Sequence, residues 1–198
     1  MGLRSSRGIL RGTVNFLPRE TSRLVLRAIE LGDWRAIHRY MSDPRVTTWL
    51  PDGVMNEEQA QAFASKNAGE TPEAIAVLTK STNQLVGHIV FHPWAQPRTH
   101  EIGWVFAGSH QRRGYATEAA KSILAYAFET LRCHRIIATC QPQNVASWRV
   151  AEKLGMRREG SFRQCILRPT GEWWDEFFYS MLEEEHFFET PSKAGGNR

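Results

Sequence analysis

The chain has 198 residues, 41% of them hydrophobic, which is enough for one buried core and leaves little room for a second domain. Its 25 basic and 21 acidic residues give a net charge of +4, which is too small to indicate a nucleic-acid partner. The three cysteines show no CxxC spacing, so they predict neither a disulfide framework nor a thiolate metal site and favour a reducing cytoplasm. No apolar run approaches the ~18 residues of a membrane-spanning helix, so a membrane protein is not expected.

Both ends of the chain are expected to lie outside the folded domain. Residues 1–20 form a basic segment with no acidic residue before Glu20. This segment is interpreted as a flexible terminus, and the alternative is an anion-binding arm. Residues 189–198 are rich in Pro, Gly and Ser and predict a disordered tail. The domain is therefore expected to span residues 21–188.

The first half of the chain predicts a strand, two helices and three strands. Alternating apolar residues indicate the strands, and Asn56 followed by acidic residues indicates the start of the second helix. The loop between the two helices carries Trp49 and is a candidate wall of a substrate pocket. The elements are expected at residues 24–29 (strand), 34–41 and 56–66 (helices), and 74–78, 85–91 and 101–106 (strands).

The second half predicts two helices that alternate with strands. An apolar face at helical spacing indicates the first helix, and Gly155 ends the second. His88 and His92 are four residues apart, but they lie on a predicted strand before a proline, so no metal site is expected there. The elements are expected at residues 119–131 (helix), 135–140 (strand), 146–154 (helix), and 156–164 and 173–181 (strands). The order βααβββαβαββ predicts a mixed α/β domain with one central sheet.

A basic glycine turn stands between a predicted apolar strand and the long amphipathic helix, and reads Gln111-Arg112-Arg113-Gly114-Tyr115-Ala116. Gly114 has no Cβ and lets the backbone approach a ligand, while the N–H groups from Arg112 to Thr117 are the unpaired donors at a helix start. Such a turn suits a phosphate or diphosphate, to which Arg112 and Arg113 add positive charge. The alternative is a surface loop that happens to precede a helix.

Further along the chain a second helix opens at Asn144-Val145-Ala146-Ser147 and ends at Gly155. Together, the turn and this helix resemble the signature segments of the GCN5-related N-acetyltransferases (GNAT), and the resemblance extends from about Arg23 to Phe187. It implies a single-domain α/β fold whose mainly antiparallel central sheet, flanked by helices, holds acetyl-CoA between two splayed strands. The Gly-x-Trp-x-Asp segment at 171–175 resembles the ribosomal-protein N-acetyltransferase branch (RimJ/RimL type).

The resemblance also implies which residues hold acetyl-CoA. The edge of the strand 102–106 would pair with the pantetheine amides, and a backbone N–H near Val105 would donate to the thioester carbonyl. Asn144 would hold the pantetheine arm. The residues expected to bind acetyl-CoA are Trp104, Val105, Phe106, Gln111, Arg112, Arg113, Gly114, Tyr115, Ala116, Thr117, Asn144 and Ser147.

Two residues are candidates for the chemistry. An amine must be neutral to attack, whereas an alkyl amine such as lysine has a pKa of about 10.4, so a general base is useful. Glu101 is the expected base because many relatives carry a carboxylate there, and the alternative is an exposed glutamate that only tunes charge. The tyrosine that many relatives use as acid is replaced by Ala151, and Ser147 is implied to meet the thiolate. Asn144 and Ser147 also fit an N-cap and a first-turn hydroxyl.

The identity of the acceptor is left open by the sequence. Trp49, Trp94 and Asp175 are candidates for the substrate pocket, and Asp175 also fits a protective charge on an edge strand. The expected reaction is direct transfer in a ternary complex to a primary amine, on a protein N-terminus or a small molecule. The competing hypotheses are a non-catalytic acyl-CoA-binding module and a basic anion- or RNA-binding protein. The late strands are also compatible with a homodimer.

Overall fold

The computed structural model describes residues 17–69 and 72–189. Within these ranges the chain forms eight strands and six α-helices. The strands are β1 (Arg19–Glu20), β2 (Leu24–Ala28), β3 (Ala74–Thr79), β4 (Leu85–Pro93), β5 (Thr99–Phe106), β6 (Arg135–Cys140), β7 (Arg157–Leu167) and β8 (Trp173–Leu182). The helices are α1 (Trp34–Met41), α2 (Pro44–Thr47), α3 (Glu57–Asn67), α4 (Tyr115–Ala125, continued by a π-helical turn at Tyr126–Thr130), α5 (Val145–Lys153) and α6 (Glu183–Glu189).

All eight strands belong to one sheet, in the order β1-β2-β3-β4-β5-β6-β8-β7. Neighbouring strands run antiparallel except β5 and β6, which are parallel. This topology confirms the expected α/β domain with a mainly antiparallel central sheet flanked by helices.

The parallel pair in the middle of the sheet separates after a short stretch. β5 and β6 pair only through Thr99–Arg135, His100–Ile136 and Glu101–Ile137. Beyond Glu101 the strands continue to Phe106 and Cys140 with no further pairing between residues 102–106 and 138–140. A gap therefore opens between β5 and β6 towards the carboxyl ends of both strands.

Two apolar cores cover opposite faces of the sheet. The first core lies under α4 and α5 and includes Ile102 and Phe106 of β5. The second core lies under α1 and α3, and Val105 packs against it. Because successive side chains of a strand point to opposite faces, the residues of β5 alternate between the two cores. The gap therefore has a first-core side and a second-core side.

Local signals account for the ends of the helices. Asn56 Oδ1 accepts the backbone N–H of Gln59 at 2.8 Å, and Gln59 Oε1 accepts the backbone N–H of Asn56 at 2.8 Å, which completes a capping box before α3. Gly155 follows α5 with φ of +83°, a conformation that glycine adopts without steric cost. The ends of α3 and α5 thus lie within one residue of the bounds that the sequence predicts.

Three elements were not expected from the sequence, namely β1, α2 and α6. β1 lies within the segment that was expected to be flexible. Its residues Arg19 and Glu20 pair with Leu26 and Val25 of β2. Residues 1–16 and 190–198 lie outside the described residues, so the expectations for them stay predictions. None of the helices within 17–69 and 72–189 is long and apolar enough to cross a bilayer.

Gly87 of β4 faces β5 at close range. A Cβ at Gly87 would overlap the carbonyl oxygen of Val105 and lie 2.8 Å from the ring of Phe106. We expect Gly87→Ala to displace β5 and to lower the free energy of unfolding by about 3 kcal/mol in urea denaturation. Gly103→Ala is the matched control because its Cβ would lie at an ordinary 3.5 Å from Val90. Equal destabilisation by the two substitutions would contradict this account.

Candidate active site

The turn before α4 has the backbone of an anion-binding loop. Gly114, directly before the helix, has φ of +79°, and Arg112 has φ of +59°. The first N–H groups of α4, beginning at Tyr115, have no intrahelical acceptor and point out of the helix start. These groups can donate to anionic oxygens, and the positive end of the helix dipole favours the same charge.

The side chains of this turn differ in what they contact. Gln111 Nε2 donates to the carbonyl oxygen of Phe106 at 3.0 Å, which ties the turn to the end of β5. Arg112 and Arg113 are exposed, and residues 115–117 are half-buried. Gln111 therefore has a structural partner, while the two arginines are exposed and can meet an anion.

The hydrogen-bond direction along β5 decides which N–H groups face the gap. The N–H of Ala107 donates to the Val86 carbonyl of β4 at 2.9 Å, and in an antiparallel ladder alternate residues point to the same neighbour. Val105 therefore directs its N–H at β4, whereas Trp104 and Phe106 direct theirs into the gap. The backbone N–H groups near Val105 that face the gap are therefore those of its two neighbours.

Trp104 adds a second donor beside the gap. Its indole Nε1 is buried and has no hydrogen-bond partner among the residues described, while its ring packs against the first core. A buried donor without an acceptor costs free energy, and an acceptor on a bound molecule would remove that cost. The unpaired backbone and this indole together suit a ligand chain that carries amide and carbonyl groups.

Glu101 lies at the fork of the gap with polar neighbours. Its Oε1 accepts a hydrogen bond from Thr139 Oγ1 at 3.3 Å, and its Oε2 lies 3.6 Å from His92 Nε2. Burial raises the pKa of Glu101, while the charge of His92 and the Thr139 hydrogen bond oppose that rise. A half-buried carboxylate of this kind is a suitable general base.

Glu176 of β8 is a second carboxylate at the same place. Burial raises the pKa of Glu176, a hydrogen bond from Thr139 opposes the rise, and the charge of Glu101 adds to it. The Thr139 hydroxyl thus lies between two carboxylates. Two carboxyl groups therefore lie together on the side of the gap that faces the second core.

Asn144 and Ser147 lie at the start of α5, where Asn144 Oδ1 accepts the Ser147 N–H at 3.3 Å. Ser147 lies beside Cys140. Burial raises the pKa of the Cys140 thiol to about 11, although a hydrogen bond from Ser147 opposes that rise. Cys140 belongs to the first core, whereas Glu101 is on the second-core face. The two expected catalytic residues therefore approach the gap from opposite faces of the sheet.

The tryptophans expected in the substrate pocket lie in different places. Trp49 follows α2 and its ring centroid is 5.8 Å from that of Trp174 on β8, which gives the second-core side an aromatic wall. Trp94 lies in the hairpin between β4 and β5 and is 41% exposed. Trp49 is thus part of a wall beside the gap, while Trp94 is at the rim of the sheet.

Asp175 and Glu176 are neighbours in sequence but face opposite sides of β8. Asp175 Oδ1 accepts the backbone N–H of Gln164 at 2.8 Å, in the part of β7 where the register shifts. Alternation places Glu176 on the face of Glu101 and Asp175 on the other face. The structure therefore brings Glu176, rather than Asp175, next to the expected base.

Comparison with known families matches residues 23–157 to the Acetyltransferase (GNAT) domain. The chain belongs to the GNAT family. Uncharacterized N-acetyltransferase YnaD of Bacillus subtilis (strain 168) is 51% identical over 166 residues, which cover 83% of this chain and 96% of that protein. A crystal structure of an acetyltransferase (GNAT family) from Bacillus anthracis is 48% identical, with a TM-score of 0.80 over 83% of this chain and 98% of that one. Spermidine N-acetyltransferase from Vibrio cholerae, solved in complex with CoA and spermine, shares the fold at 22% identity, with a TM-score of 0.73 over 84% of this chain and 99% of that one.

Membership in the GNAT family makes the chain an N-acetyltransferase, and acetyl-CoA is the acyl donor that the family uses. The site fits this donor. The glycine turn at the start of α4 suits its phosphates, and the unpaired edge of β5 with the free indole N–H of Trp104 suits its pantetheine amides.

Sequence reasoning missed four side chains of this GNAT site. Thr139 and Glu176 come together only through the pairing of β6 with β8, and strand alternation was the one signal available for them. Glu118, in the first turn of α4, forms a salt bridge of 2.6 Å with Arg23 at the start of β2. An acidic residue in the first turn of a helix is common, so the sequence alone did not mark Glu118.

The two histidines on β4 have separate partners. His88 is buried, its Nδ1 lies 2.7 Å from Tyr40 Oη, and burial lowers the pKa of His88 to about 4. His92 faces Glu101. Within 17–69 and 72–189, no group of three His, Cys, Asp or Glu side chains is placed to hold a metal ion.

Thr139→Val removes the hydroxyl shared by Glu101 and Glu176. Thr139 can donate its one hydroxyl proton to either carboxylate and stabilises its ionised form, so we expect loss of the hydroxyl to raise the pKa of each. Titration of ¹³C-labelled glutamate carboxyl groups by NMR measures both values. Glu118 is the internal control, and its pKa of about 2 is expected to stay unchanged. A fall in the pKa of Glu101 or Glu176 would contradict the shared hydrogen bond.

Proposed function

We propose that this GNAT protein transfers an acetyl group from acetyl-CoA directly to a primary amine within a ternary complex. The observation that carries the proposal is Glu101, a half-buried carboxylate with a raised pKa at the point where β5 and β6 separate. A primary amine is protonated at neutral pH and must lose a proton before it attacks. The site supplies a proton acceptor beside a strand edge that can bind a thioester chain.

The turn and the edge of β5 bind different parts of the acyl donor. The diphosphate lies at Gly114 and the start of α4, and the N–H groups of Trp104 and Phe106 pair with the extended pantetheine chain. Phe106 is next to the turn, so Trp104, nearer to Glu101, supplies the N–H that stabilises negative charge developing on the thioester oxygen. Asn144 uses its side-chain oxygen as a helix cap, which leaves its amide nitrogen to donate to pantetheine.

Proton movements take place on the two faces of the sheet. Glu101 accepts the proton of the amine from the second-core side. Its raised pKa makes it a stronger base than an exposed glutamate, which brings it closer to the basicity of the amine. Ser147 donates a hydrogen bond from its hydroxyl to the departing thiolate from the α5 side, in the role that the resemblance implied.

The cysteine beside Ser147 supports direct transfer. Burial raises the pKa of Cys140 to about 11, so its sulfur is a protonated thiol at neutral pH. The thiolate is the nucleophilic form of cysteine, and Cys140 is therefore a poor candidate for an acyl-enzyme. The amine itself is the group that attacks the thioester.

The acceptor lies on the second-core side of the gap. Glu176 and Glu101 supply negative charge there, which suits a cationic amine, and Trp49 with Trp174 supplies an aromatic wall. A protein N-terminus and a small amine both meet this description, while roles for Trp94 and Asp175 stay predictions. The position of Ser147 supports the RimJ/RimL-type branch.

The remaining predictions concern binding partners and cellular location. A cytoplasmic location, and the absence of metal, nucleic-acid and membrane partners, stay predictions from composition. β7 is an edge strand of the sheet and most of its residues are exposed, which is compatible with a homodimer.

Thiol release from acetyl-CoA across a panel of N-terminal peptides, polyamines and aminoglycosides tests the proposed reaction. We expect one acceptor class to give turnover. Glu101→Gln should lower kcat by roughly 100-fold because the base is lost. Ser147→Ala should lower kcat by about tenfold because one hydrogen bond to sulfur is lost. CoA affinity, measured by calorimetry, should change little in either variant.

The same experiment distinguishes the competing hypotheses. Tight binding of acetyl-CoA without turnover on any acceptor would favour a non-catalytic acyl-CoA-binding module. Full activity of Glu101→Gln would remove the proposed base. Absence of acetyl-CoA binding, with strongly salt-dependent binding of RNA, would favour the basic anion-binding hypothesis.

Glu176→Gln and Asp175→Asn form a matched pair for the acceptor site. Each removes one negative charge at adjacent positions of β8, but only Glu176 lies on the face of Glu101. We expect Glu176→Gln to raise the KM for a cationic acceptor about tenfold and Asp175→Asn to leave it near the parent value. Steady-state kinetics with the best acceptor of the panel measures both. A larger effect of Asp175→Asn would place the acceptor on the other face.

A further inference from the structure

The turn that precedes α4 has a backbone conformation that its own sequence does not enforce. Arg112 and Gly114 both have positive φ, +59° and +79°, and the left-handed region costs free energy for a residue with a Cβ such as Arg112. Conformations of this kind persist when surrounding contacts hold them. Besides the hydrogen bond from Gln111 to the Phe106 carbonyl, contacts to this turn come from the segment between β1 and β2.

Glu118, in the first turn of α4, receives four hydrogen bonds from that segment. Its carboxylate accepts from Thr21 Oγ1 at 2.6 Å, Ser22 Oγ at 2.9 Å, the Arg23 backbone N–H at 2.9 Å and Arg23 Nε at 2.7 Å. Burial alone would raise the pKa of Glu118, but the hydrogen bonds from Thr21, Arg23 and Ser22 lower it to about 2. The carboxylate is therefore ionised at neutral pH and fixes the position of the Arg23 guanidinium.

The guanidinium of Arg23 in turn contacts two residues of the turn and lies beside the glycine between them. Its Nη1 donates to the Arg113 carbonyl oxygen at 2.9 Å, and its Cζ lies 4.8 Å from the ring centroid of Tyr115. Its Nη2 lies 3.4 Å from the position that a Cβ of Gly114 would occupy. One side chain thus holds the second half of the turn, at Arg113 and Tyr115, and lies beside Gly114.

The hydrogen bond to Arg113 sets the direction of the next N–H group. In a trans peptide the carbonyl of one residue and the N–H of the next point in opposite directions. Because Arg23 holds the Arg113 carbonyl, the N–H of Gly114 points away from the guanidinium. A flip of this peptide would exchange the N–H for a carbonyl oxygen and present negative charge to an anion.

We infer that Arg23, held by Glu118, is a positioning residue that locks the Arg113–Gly114 peptide with its N–H towards the diphosphate of the acyl donor. The inference rests on the proposed role of the turn in binding acetyl-CoA. Glu118 neutralises Arg23 at 2.6 Å, so the pair acts through geometry and adds little net charge. The exposed Arg112 and Arg113 remain as the source of positive potential.

Two acyl donors separate this role from general stability. Acetyl-CoA carries the phosphates, and S-acetylpantetheine has the same thioester arm without them. We expect Arg23→Met to lower the ratio of kcat/KM for acetyl-CoA to kcat/KM for S-acetylpantetheine about tenfold, since one charge-assisted contact to phosphate is misplaced. Arg23→Lys keeps the charge but lacks the planar fork that bonds Glu118 and the Arg113 carbonyl together, so the ratio should fall in this variant too.

Arg27→Met is the matched control. Arg27 lies on β2, shortly after Arg23, and forms a two-pronged ion pair with Asp33, at 2.6 and 2.8 Å, away from the turn. This substitution is expected to keep the parental ratio of the two donors. Glu118→Gln, which keeps the shape of the side chain, gives a second route to the same fall if Arg23→Met does not fold.

Each outcome decides the inference. Unchanged kcat/KM with both donors in Arg23→Met would overturn it, because the substitution then has no effect. An equal fall with both donors would also overturn it, because that result indicates only a loss of structure. Recovery of the ratio in Arg23→Lys would overturn it in favour of charge alone. Calorimetry with CoA separates failure of the inference from failure of the proposed function. If the parent binds no CoA, the proposed function fails together with the inference. If parent and Arg23→Met bind CoA equally, only the inference fails.

Discussion

The site depends on the loss of pairing between β5 and β6 beyond Glu101. The two strands can separate because each is held on its other side, β5 by β4 as far as the Phe106–Gly87 pair and β6 by β8 as far as Cys140–Phe177. Separation leaves backbone groups of β5 without a protein partner inside the sheet. Such groups need water or a ligand, and an extended chain of amides satisfies them as an added strand would.

A gap that passes through the sheet lets the two faces do different chemistry. The second-core face has Glu101, Glu176 and an aromatic wall, which suit an amine that arrives with a proton. The first-core face has Ser147 at the start of α5 and the glycine turn at the start of α4, which suit sulfur and phosphate. Donor and acceptor can therefore approach the fork from opposite sides, and neither needs to leave before the other binds.

Much of this fold could be predicted from the sequence, because its signals are local. The bounds of α1 and the cap at Asn56 were evident from apolar spacing and cap residues, whereas β1 has two residues and no periodicity to detect. The direction of the Val105 N–H depends on how β4 pairs with β5. The contact between Arg23 and Glu118 joins residues that are 95 positions apart. The sequence pointed to Asp175 rather than Glu176 because the pairing of β8 with β6 decides which face of β8 each side chain is on. Long-range pairing, which no local pattern encodes, supplied these parts of the site.

Residue-resolved amide exchange by NMR, with and without CoA, tests the central claim most directly. In the free protein, the account predicts slow exchange for the Val105 N–H, which faces β4, and faster exchange for those of Trp104 and Phe106, which face the gap. CoA should slow exchange at Trp104 and Phe106 and leave Val105 unchanged. If CoA binds while exchange at Trp104 and Phe106 stays the same, the unpaired edge of β5 is not where the acyl donor lies.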